Sequence, residues 1–254
     1  MIFVLAGTRD AREITDLLLE ASFEVLASVV SGYGKVLLDK KPGLFVNDQP
    51  LDQDALEACL KKNAIRAFID ASHPYAVNAS ETAIRSCQHL QIPYLRYERK
   101  ETPLPDYEQL YLVKNYQEAA ILAARFGKNI FLTTGSRNLS VLKNHPALQG
   151  FRLIARVLPE VSVIEECRQL GFLPGDIIAL QGPFSQELNR ELYKKYEASS
   201  VITKNSGHVG GTDTKIAAAI ELQLPVIVID RVRIDYPAVT DQYPDVLTFI
   251  EKNT

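Results

Sequence analysis

This chain of 254 residues has few cysteines, no excess of basic charge and no long apolar runs. Its three cysteines, Cys59, Cys87 and Cys167, are odd in number and far apart, which argues against disulfides and against zinc ligation. The formal net charge is −3, so a basic face for nucleic acid is not expected. No apolar run approaches the roughly 20 residues that cross a bilayer. We therefore predict no metal site, no nucleic-acid partner and no membrane partner.

The first residues argue against an export signal. Met1 is followed directly by an apolar segment at residues 2–6 and carries no basic leader, so this segment is predicted to be a strand. Free thiols are typical of a reducing compartment. The protein is therefore expected to be cytoplasmic.

Short apolar segments alternate with amphipathic segments of helical length along the chain. The first series predicts strands at residues 2–6, 24–30 and 67–70, with helices at 11–19 and 76–90. A second series follows the Pro- and acid-containing stretch 101–108. It predicts strands at 110–113, 129–132, 151–155, 177–180, 200–203 and 225–229, and helices at 117–126, 161–170, 186–196 and 214–222.

This alternation predicts βαβ units, and the nearly continuous apolar strands favour parallel sheets covered on both faces. We expect an α/β protein with two Rossmann-like, doubly wound domains, mainly parallel sheets and a cleft between the domains. Residues 1–110 are predicted to bind a dinucleotide, and residues 111–254 to contribute to the substrate cleft. The junction is expected near residues 101–127.

In open α/β sheets, ligands bind beyond the carboxyl ends of the strands, so the turns that follow each strand are the candidate sites. After the first strand, Gly7 permits a tight turn and Thr8 can cap a helix, with Arg9 next to them. This turn is predicted to hold a cofactor phosphate. Because the full G-x-G-x-x-G pattern is absent, a simple capped turn is the alternative.

The segment after the second strand offers hydroxyl, glycine and basic groups at Ser31, Gly32 and Lys35. In dinucleotide folds an acidic residue here binds a free 2′-hydroxyl, whereas these groups suit a 2′-phosphate. The segment therefore favours NADPH over NADH. A solvated loop is the alternative.

The strand at residues 67–70 ends in the densest cluster of reactive side chains in the first half. Asp70, Ala71 and Ser72 are predicted to contact the cofactor. Pro74 suits the first turn of a helix, whose positive end favours a neutral imidazole at His73. His73 and Tyr75 are the candidate catalytic residues; a packed, satisfied histidine in a capped turn is the alternative.

In the second half, Thr134, Gly135 and Ser136 form another hydroxyl-rich turn and are predicted cofactor contacts, with the cation Arg137 beside them. Arg156 offers a second cation, although an ordinary surface arginine is the default interpretation. Phe184, after a Gly-Pro step, is a possible flat apolar wall.

Residues 203–215 combine glycines, hydroxyls and lysines before an alanine-rich helix, which is typical of an anion-binding nest. The missing Gly-Lys-Ser/Thr order argues against a nucleoside triphosphatase. The cofactor contacts predicted here are Ser206 and Gly207, and the substrate contacts are Lys204, Gly211, Thr212 and Lys215, together with Arg137. His208 is a weaker candidate proton donor.

These motifs in this order resemble the precorrin-6A reductase family. The match includes Leu-Ala-Gly-Thr at residues 5–8, Asp-Ala-Ser-His-Pro at 70–74, Arg-Val-Leu-Pro at 156–159 and Thr-Lys-Asn-Ser-Gly at 203–207. The resemblance implies hydride transfer from NADPH to precorrin-6A, or to its cobalt-containing counterpart, in cobalamin biosynthesis. Such a tetrapyrrole carries many carboxylates, which the predicted cations would bind. One departure is Ala6, where many members have glycine.

Two other functions remain open on the residues alone. A non-enzymatic dinucleotide-sensing module would use the same turns without a second ligand. A tetrapyrrole methyltransferase would bind adenosylmethionine in place of a redox cofactor.

Overall fold

The computed structural model of the chain describes residues 1–29, 34, 36, 38 and 41–254. Strands and helices alternate through this part of the chain. They form two six-stranded sheets, in which every strand pair is parallel. The predicted α/β class with two Rossmann-like sheets is confirmed.

The strands are β1 (Ile2–Leu5), β2 (Val25–Ser28), β3 (Leu44–Asn47), β4 (Ala67–Asp70), β5 (Tyr94–Tyr97), β6 (Leu110–Val113), β7 (Asn129–Leu132), β8 (Arg152–Val157), β9 (Ile177–Ala179), β10 (Ser200–Lys204), β11 (Val226–Ile229) and β12 (Val239–Thr240). The described α-helices are α1 (Arg9–Glu20), α2 (Gln53–Lys62), α3 (Val77–Leu90), α4 (Tyr116–Ala123), α5 (Leu139–Lys143), α6 (Val161–Gln169), α7 (Gln186–Lys195), α8 (Thr212–Glu221) and α9 (Tyr243–Asn253). Short 3-10 turns lie at Pro146–Leu148, Pro174–Asp176 and His208–Gly210.

The chain divides into two compact units at points that differ from the predicted boundary at 110/111. The first unit contains residues 1–100 and 232–254, and the second contains residues 101–231. The difference arises because the C-terminal segment returns to the first unit. There β12 pairs with β5, and α9 buries Val246 and Ile250 in the core.

In the first sheet, the strand order is β12-β5-β4-β1-β2-β3. Successive residues of a strand point to opposite faces, so both faces of the central strands are apolar. On one face Phe3 stacks on Phe68, with ring centroids 4.7 Å apart. On the other face Val4 and Ile69 pack in the cluster that contains Ile250.

In the second sheet, the strand order is β6-β11-β10-β7-β8-β9. Phe131 of β7 and Val201 of β10 pack on the same face, against Tyr193 of α7 and Ile216 of α8. The rings of Phe131 and Tyr193 meet edge to face at 4.9 Å. This packing holds α7 and α8 against the sheet.

Each sheet has one point at which the strand order reverses. In the first sheet it lies between β1 and β4, and in the second between β7 and β10. Loops from neighbouring strands diverge to opposite sides at such a switch point and leave a crevice in which α/β proteins bind ligands. The fold thus marks four strand ends, after Leu5, Asp70, Leu132 and Lys204.

Within the described residues, no helix has both the length and the apolar composition needed to cross a membrane.

If the C-terminal segment is part of the first unit's core, then Ile250→Ala should destabilise the protein. Ile250 is fully buried, and removing such a side chain costs about 2–5 kcal/mol through lost burial and a residual cavity. Thermal and urea unfolding would measure the change. Val239→Ala, at a position that is 58% exposed, is the control and should change stability by less than about 0.5 kcal/mol. Equal effects of the two variants would contradict this role of the segment.

Candidate active site

The turn after β1 has the geometry of an anion-binding turn at a helix N-terminus. Gly7 has φ +114°, and no atom lies within 4 Å of the position that a Cβ would occupy there. Thr8 caps α1, since its Oγ1 accepts from the Ala11 amide at 3.0 Å. The same hydroxyl donates to the Ala71 carbonyl at 2.9 Å and so ties this turn to the loop after β4. The open space above Gly7 fits a phosphate approaching the backbone.

Asp70 lies at the end of β4 and is completely buried. Its Oδ1 accepts from the Ser72 amide at 3.0 Å, and its Oδ2 accepts from the Ser80 hydroxyl at 2.6 Å and from the Tyr94 hydroxyl at 2.7 Å. The predicted cofactor contact is therefore directed inward. Its carboxylate holds the start of the 70–76 loop against α3 and β5.

Arg96 of β5 is the cation that balances Asp70. Its Nη1 lies 2.8 Å from Asp70 Oδ1 and 3.0 Å from the Ser72 hydroxyl, and its Nε donates to Glu98 at 2.9 Å. Burial alone would raise the pKa of Asp70, but Arg96 and the hydroxyl donors outweigh it and hold that pKa below the ordinary 3.8. Asp70 and Arg96 therefore form a charged, buried pair.

The 70–76 loop also carries the candidate catalytic residues. His73 Nδ1 accepts from the Tyr75 amide at 3.2 Å, and the two rings lie 5.8 Å apart. An accepting Nδ1 leaves the proton of a neutral imidazole on Nε2, which matches the predicted neutral donor. The helix prediction needs correction here: α3 begins at Val77, so Pro74 lies in the preceding turn instead of the first helical turn.

A cavity of about 320 Å³ lies beside α1. The described residues that line it are Arg9, Arg12, Glu13, Asp16, Leu38, Lys41 and Leu44. Arg9 pairs with Glu13 at 2.8 Å and Lys41 with Asp16 at 2.7 Å, while Arg12 donates to the Thr8 carbonyl at 3.3 Å. Arg12 thus links this cavity to the Gly7 turn. The predicted 2′-phosphate contacts Ser31, Gly32 and Lys35 lie outside the described residues.

In the second unit, the turn after β7 repeats the pattern of the first. Thr133 is anchored to β10, because both its amide and its hydroxyl donate to the Ile202 carbonyl. Gly135 has φ +76° with open space at its Cβ position, and Ser136 accepts from the Leu139 amide at the start of α5. Thr134 is buried beside them. The assignment of Thr134, Gly135 and Ser136 to the cofactor stays a prediction.

Two of the predicted substrate cations, Arg137 and Lys204, lie close enough to affect each other. Burial, and after it the charge of Arg137, together lower the pKa of Lys204 from 10.5 to about 8. Two cations that repel each other at one sheet edge favour an anionic ligand. Arg137 and Lys204, which are predicted from two different strand ends, therefore lie near each other.

The segment after β10 folds back on itself. The Ser206 amide donates to Thr212 Oγ1 at 3.0 Å, and Lys215 Nζ donates to the Gly210 carbonyl at 2.6 Å. Gly207 and Gly211 both have positive φ, at 78° and 65°. Lys215 and Thr212 therefore stabilise this turn, and their predicted contacts with substrate stay predictions, as do those of Ser206, Gly207 and Gly211.

His208, the weaker candidate donor, is exposed. Its Nδ1 lies 3.0 Å from Asp213 Oδ2, and that Asp213 carboxylate is on α8. This exposed contact joins the 3-10 turn to the first turn of α8.

The default interpretation of Arg156 as a surface arginine is wrong, because the residue is only 5% exposed. It lies within β8, one residue before its end, and its guanidinium is 4.2 Å from the centre of the Phe184 ring. The Phe184 ring therefore lies over the Arg156 guanidinium.

Sequence reasoning missed Arg96 and Arg12. Arg96 had a signal, since a lone arginine in the buried strand Tyr-Leu-Arg-Tyr needs a partner. Arg12 had none beyond its place one helical turn after Thr8. No group of three or more His, Cys, Asp and Glu side chains in the described part of the chain could hold a metal ion.

Comparison with known proteins gives consistent results. A family model described as "Precorrin-6x reductase CbiJ/CobK" matches residues 1–251. A cobalt-precorrin-6A reductase from Priestia megaterium is 38% identical over 255 residues, covering 100% of this chain and 99% of its own. One from Methanocaldococcus jannaschii is 36% identical over 251 residues, covering 98% and 97%.

A solved structure, "CobK precorrin-6A reductase", shares the fold. Its TM-score is 0.82 at 23% identity, and the alignment covers 99% of this chain and 96% of the other. The extent of the family match and the identities of these relatives lead to one conclusion. The chain belongs to the precorrin-6x reductase CbiJ/CobK family, whose members are reductases of cobalamin biosynthesis.

Proposed function

We propose that the chain uses NADPH to reduce a ring double bond of cobalt-precorrin-6A, giving the 6B form. One observation carries the proposal: in a member of this reductase family, the Gly7 turn and the His73 loop meet at the switch point of the first sheet. The cobalt-containing substrate is favoured over the metal-free one because the relatives reported above are named cobalt-precorrin-6A reductases.

The first unit is the proposed cofactor-binding unit. The Gly7–Thr8 turn and the N-terminus of α1 would hold the pyrophosphate, with Ala71 and Ser72 alongside. Arg9 and Arg12, whose cavity lies next to this turn, would meet the 2′-phosphate. Asp70 acts here as a positioning residue, because its buried carboxylate orients the loop and does not reach solvent.

When bound, the nicotinamide supplies a hydride, and the chain's own residues have three further tasks. They orient the ring carbon, exclude water and deliver a proton to the neighbouring carbon. His73 suits the last task, because its Nδ1 accepts from the Tyr75 amide and the proton of the neutral imidazole is therefore on Nε2. The Tyr75 hydroxyl is the second candidate.

The second unit is proposed to bind substrate carboxylates through Arg137 and Lys204. An anionic ligand would relieve the repulsion between the two cations and stabilise the protonated form of Lys204. The match to a reductase family over residues 1–251 favours this function over a sensing module or a methyltransferase.

The proposal is tested by assaying the purified chain with both substrates and both nucleotides. We expect NADPH to be consumed in step with the change in the visible spectrum of cobalt-precorrin-6A. The kcat/KM with NADH should be lower by about tenfold or more, because one charge-assisted hydrogen bond to the 2′-phosphate contributes about 1.5–3 kcal/mol. An adenosylmethionine titration is the control. If the chain does not bind NADPH, the proposed function is wrong.

For His73, the informative change is His73→Asn, since the Asn carbonyl can still accept from the Tyr75 amide but the Nε2 donor is gone. We expect kcat to fall about 100-fold, with NADPH affinity unchanged within about twofold, as for loss of a general acid. His145→Asn is a matched control, because His145 Nδ1 also accepts from an amide two residues ahead, that of Ala147, at 3.2 Å. Turnover that survives His73→Asn and Tyr75→Phe combined would exclude this loop as the proton source.

The lowered pKa of Lys204 predicts a pH dependence of substrate capture. Below a pH of about 8 the ammonium is charged, and as the pH rises through this value the charge is lost, so kcat/KM for the corrin should fall. In Lys204→Arg the side chain stays charged, and this fall should disappear. Folding stability should change in the opposite direction: it should rise between about 8 and 10.5, because the unfolded lysine holds its proton longer. An unchanged kcat/KM profile in Lys204→Arg would point to another group.

A further inference from the structure

Arg156 is a buried cation that has no acidic partner among the described residues. Its side chain donates one hydrogen bond, from Nη1 to Asn189 Oδ1 at 2.7 Å. No carboxylate forms an ion pair with it in the part of the chain that the structure describes. Burial is the main cause that lowers its pKa, and the nearby Tyr193 phenol offsets this effect only in part. A buried charge without a counter-charge lowers the stability of the fold, so the presence of Arg156 at this position calls for a functional reason.

Arg96, another buried arginine near a strand end, is satisfied in a different way. Arg96 makes ion pairs with Asp70 at 2.8 Å and with Glu98 at 2.9 Å, so its charge is balanced within the protein. Arg156 has an amide oxygen where Arg96 has two carboxylates. A guanidinium has five N–H donors, and the single bond to Asn189 leaves most of them for a ligand.

The surroundings of Arg156 hold its guanidinium in one place. The Phe184 ring lies 4.2 Å from it and the Phe131 ring 5.9 Å. Asn189 donates in turn to the Ser185 carbonyl at 2.8 Å, and the Phe184 carbonyl accepts from Thr214 at 2.9 Å. Both anchors hold the 181–185 loop over the cation. The result is a rigid, partly dehydrated donor, which binds anions more strongly than a solvated one.

Arg156 lies at the carboxyl edge of the second sheet but on the opposite face from Lys204. Ala155 pairs with Leu132, so Arg156 is level with the turn after β7. Its ring partner Phe131 packs in the cluster that contains Val201, and Lys204 comes three residues later on the same strand. The sheet edge therefore offers two separate cationic points.

Two exposed apolar residues lie at the strand ends near Arg156 in the sheet register. Leu158 and Leu180 follow β8 and β9 directly and are 44% and 41% exposed. The Leu180 amide donates to the Val157 carbonyl at 3.0 Å, which keeps the two strand ends together. A ligand that suits this surface has an apolar body with an anionic group at its rim.

We propose that Arg156 binds a carboxylate, and that this carboxylate is one of those at the periphery of the corrin substrate. The second half of this inference rests on the proposed function. A phosphate of the dinucleotide has the same anionic chemistry, and the experiment separates the two sources.

The test compares Arg156→Gln and Arg156→Lys with wild type. We expect Arg156→Gln to raise KM for cobalt-precorrin-6A about tenfold or more, while the Kd of NADPH changes by less than about twofold. The KM of Arg156→Lys should lie between those of the wild type and Arg156→Gln, because a point charge cannot make the planar two-pronged contact. The Tm should fall by less than about 4 °C, since the lost hydrogen bond is offset by removal of an unbalanced charge.

Arg152→Gln is the matched control. Arg152 is the first residue of the same strand, lies over the Tyr196 ring at 5.7 Å and pairs with Asp176 at 2.7 Å. It is also an arginine over an aromatic ring, but it lies at the amino end of the strand and its charge is paired, so its substitution should change neither KM nor the Kd of NADPH.

A second measurement needs neither substrate nor turnover. Citrate, a soluble tricarboxylate, should raise the Tm of the wild type and of Arg152→Gln, but not that of Arg156→Gln. If the wild type failed to turn over, loss of citrate protection in Arg156→Gln would still support the carboxylate site. A weaker Kd for NADPH with unchanged KM would overturn the proposal in favour of a cofactor phosphate. Unchanged KM together with full citrate protection in Arg156→Gln would overturn it altogether.

Discussion

The buried pair of Asp70 and Arg96 is the interaction on which the first unit's ligand-binding edge depends. Asp70 ends β4 at the switch point, and its carboxylate fixes the Ser72 amide at the start of the loop that carries His73. The same loop holds the Gly7 turn through the bond from Thr8 to Ala71. Because a buried carboxylate without its cation is strongly destabilising, the two turns keep their relative position only while Arg96 is present.

The buried residues Arg96 and Arg156 show how one residue type serves two purposes. Carboxylates of its own unit neutralise Arg96, and these ion pairs hold the loop that begins at Asp70. Arg156 has an aromatic cover and an amide partner instead, so its positive charge is still available to a ligand. A binding role thus follows from the absence of an internal counter-charge in the described residues, and not from the presence of arginine at a strand end.

The sequence predicts the layered fold well, because apolar parallel strands and amphipathic helices each leave a local pattern. It also predicts the edge of the sheet at which polar residues collect, because these residues directly follow the predicted strands. It does not predict that Asp70 points inward, since the partner that turns it inward lies 26 residues later in another strand. The return of residues 232–254 to the first unit is missed too, because the two-residue β12 has no pattern of its own.

His73 and His145 show why local geometry alone does not identify a catalytic residue. Both precede a proline, and both accept at Nδ1 from an amide two residues ahead at 3.2 Å. His145 caps a 3-10 turn on a loop, whereas His73 follows β4 at the point where the strand order reverses. The turn thus explains the tautomer of both histidines, and only its place in the sheet puts one of them at a candidate ligand-binding edge. Topology, a long-range property, therefore gives His73 its candidate role.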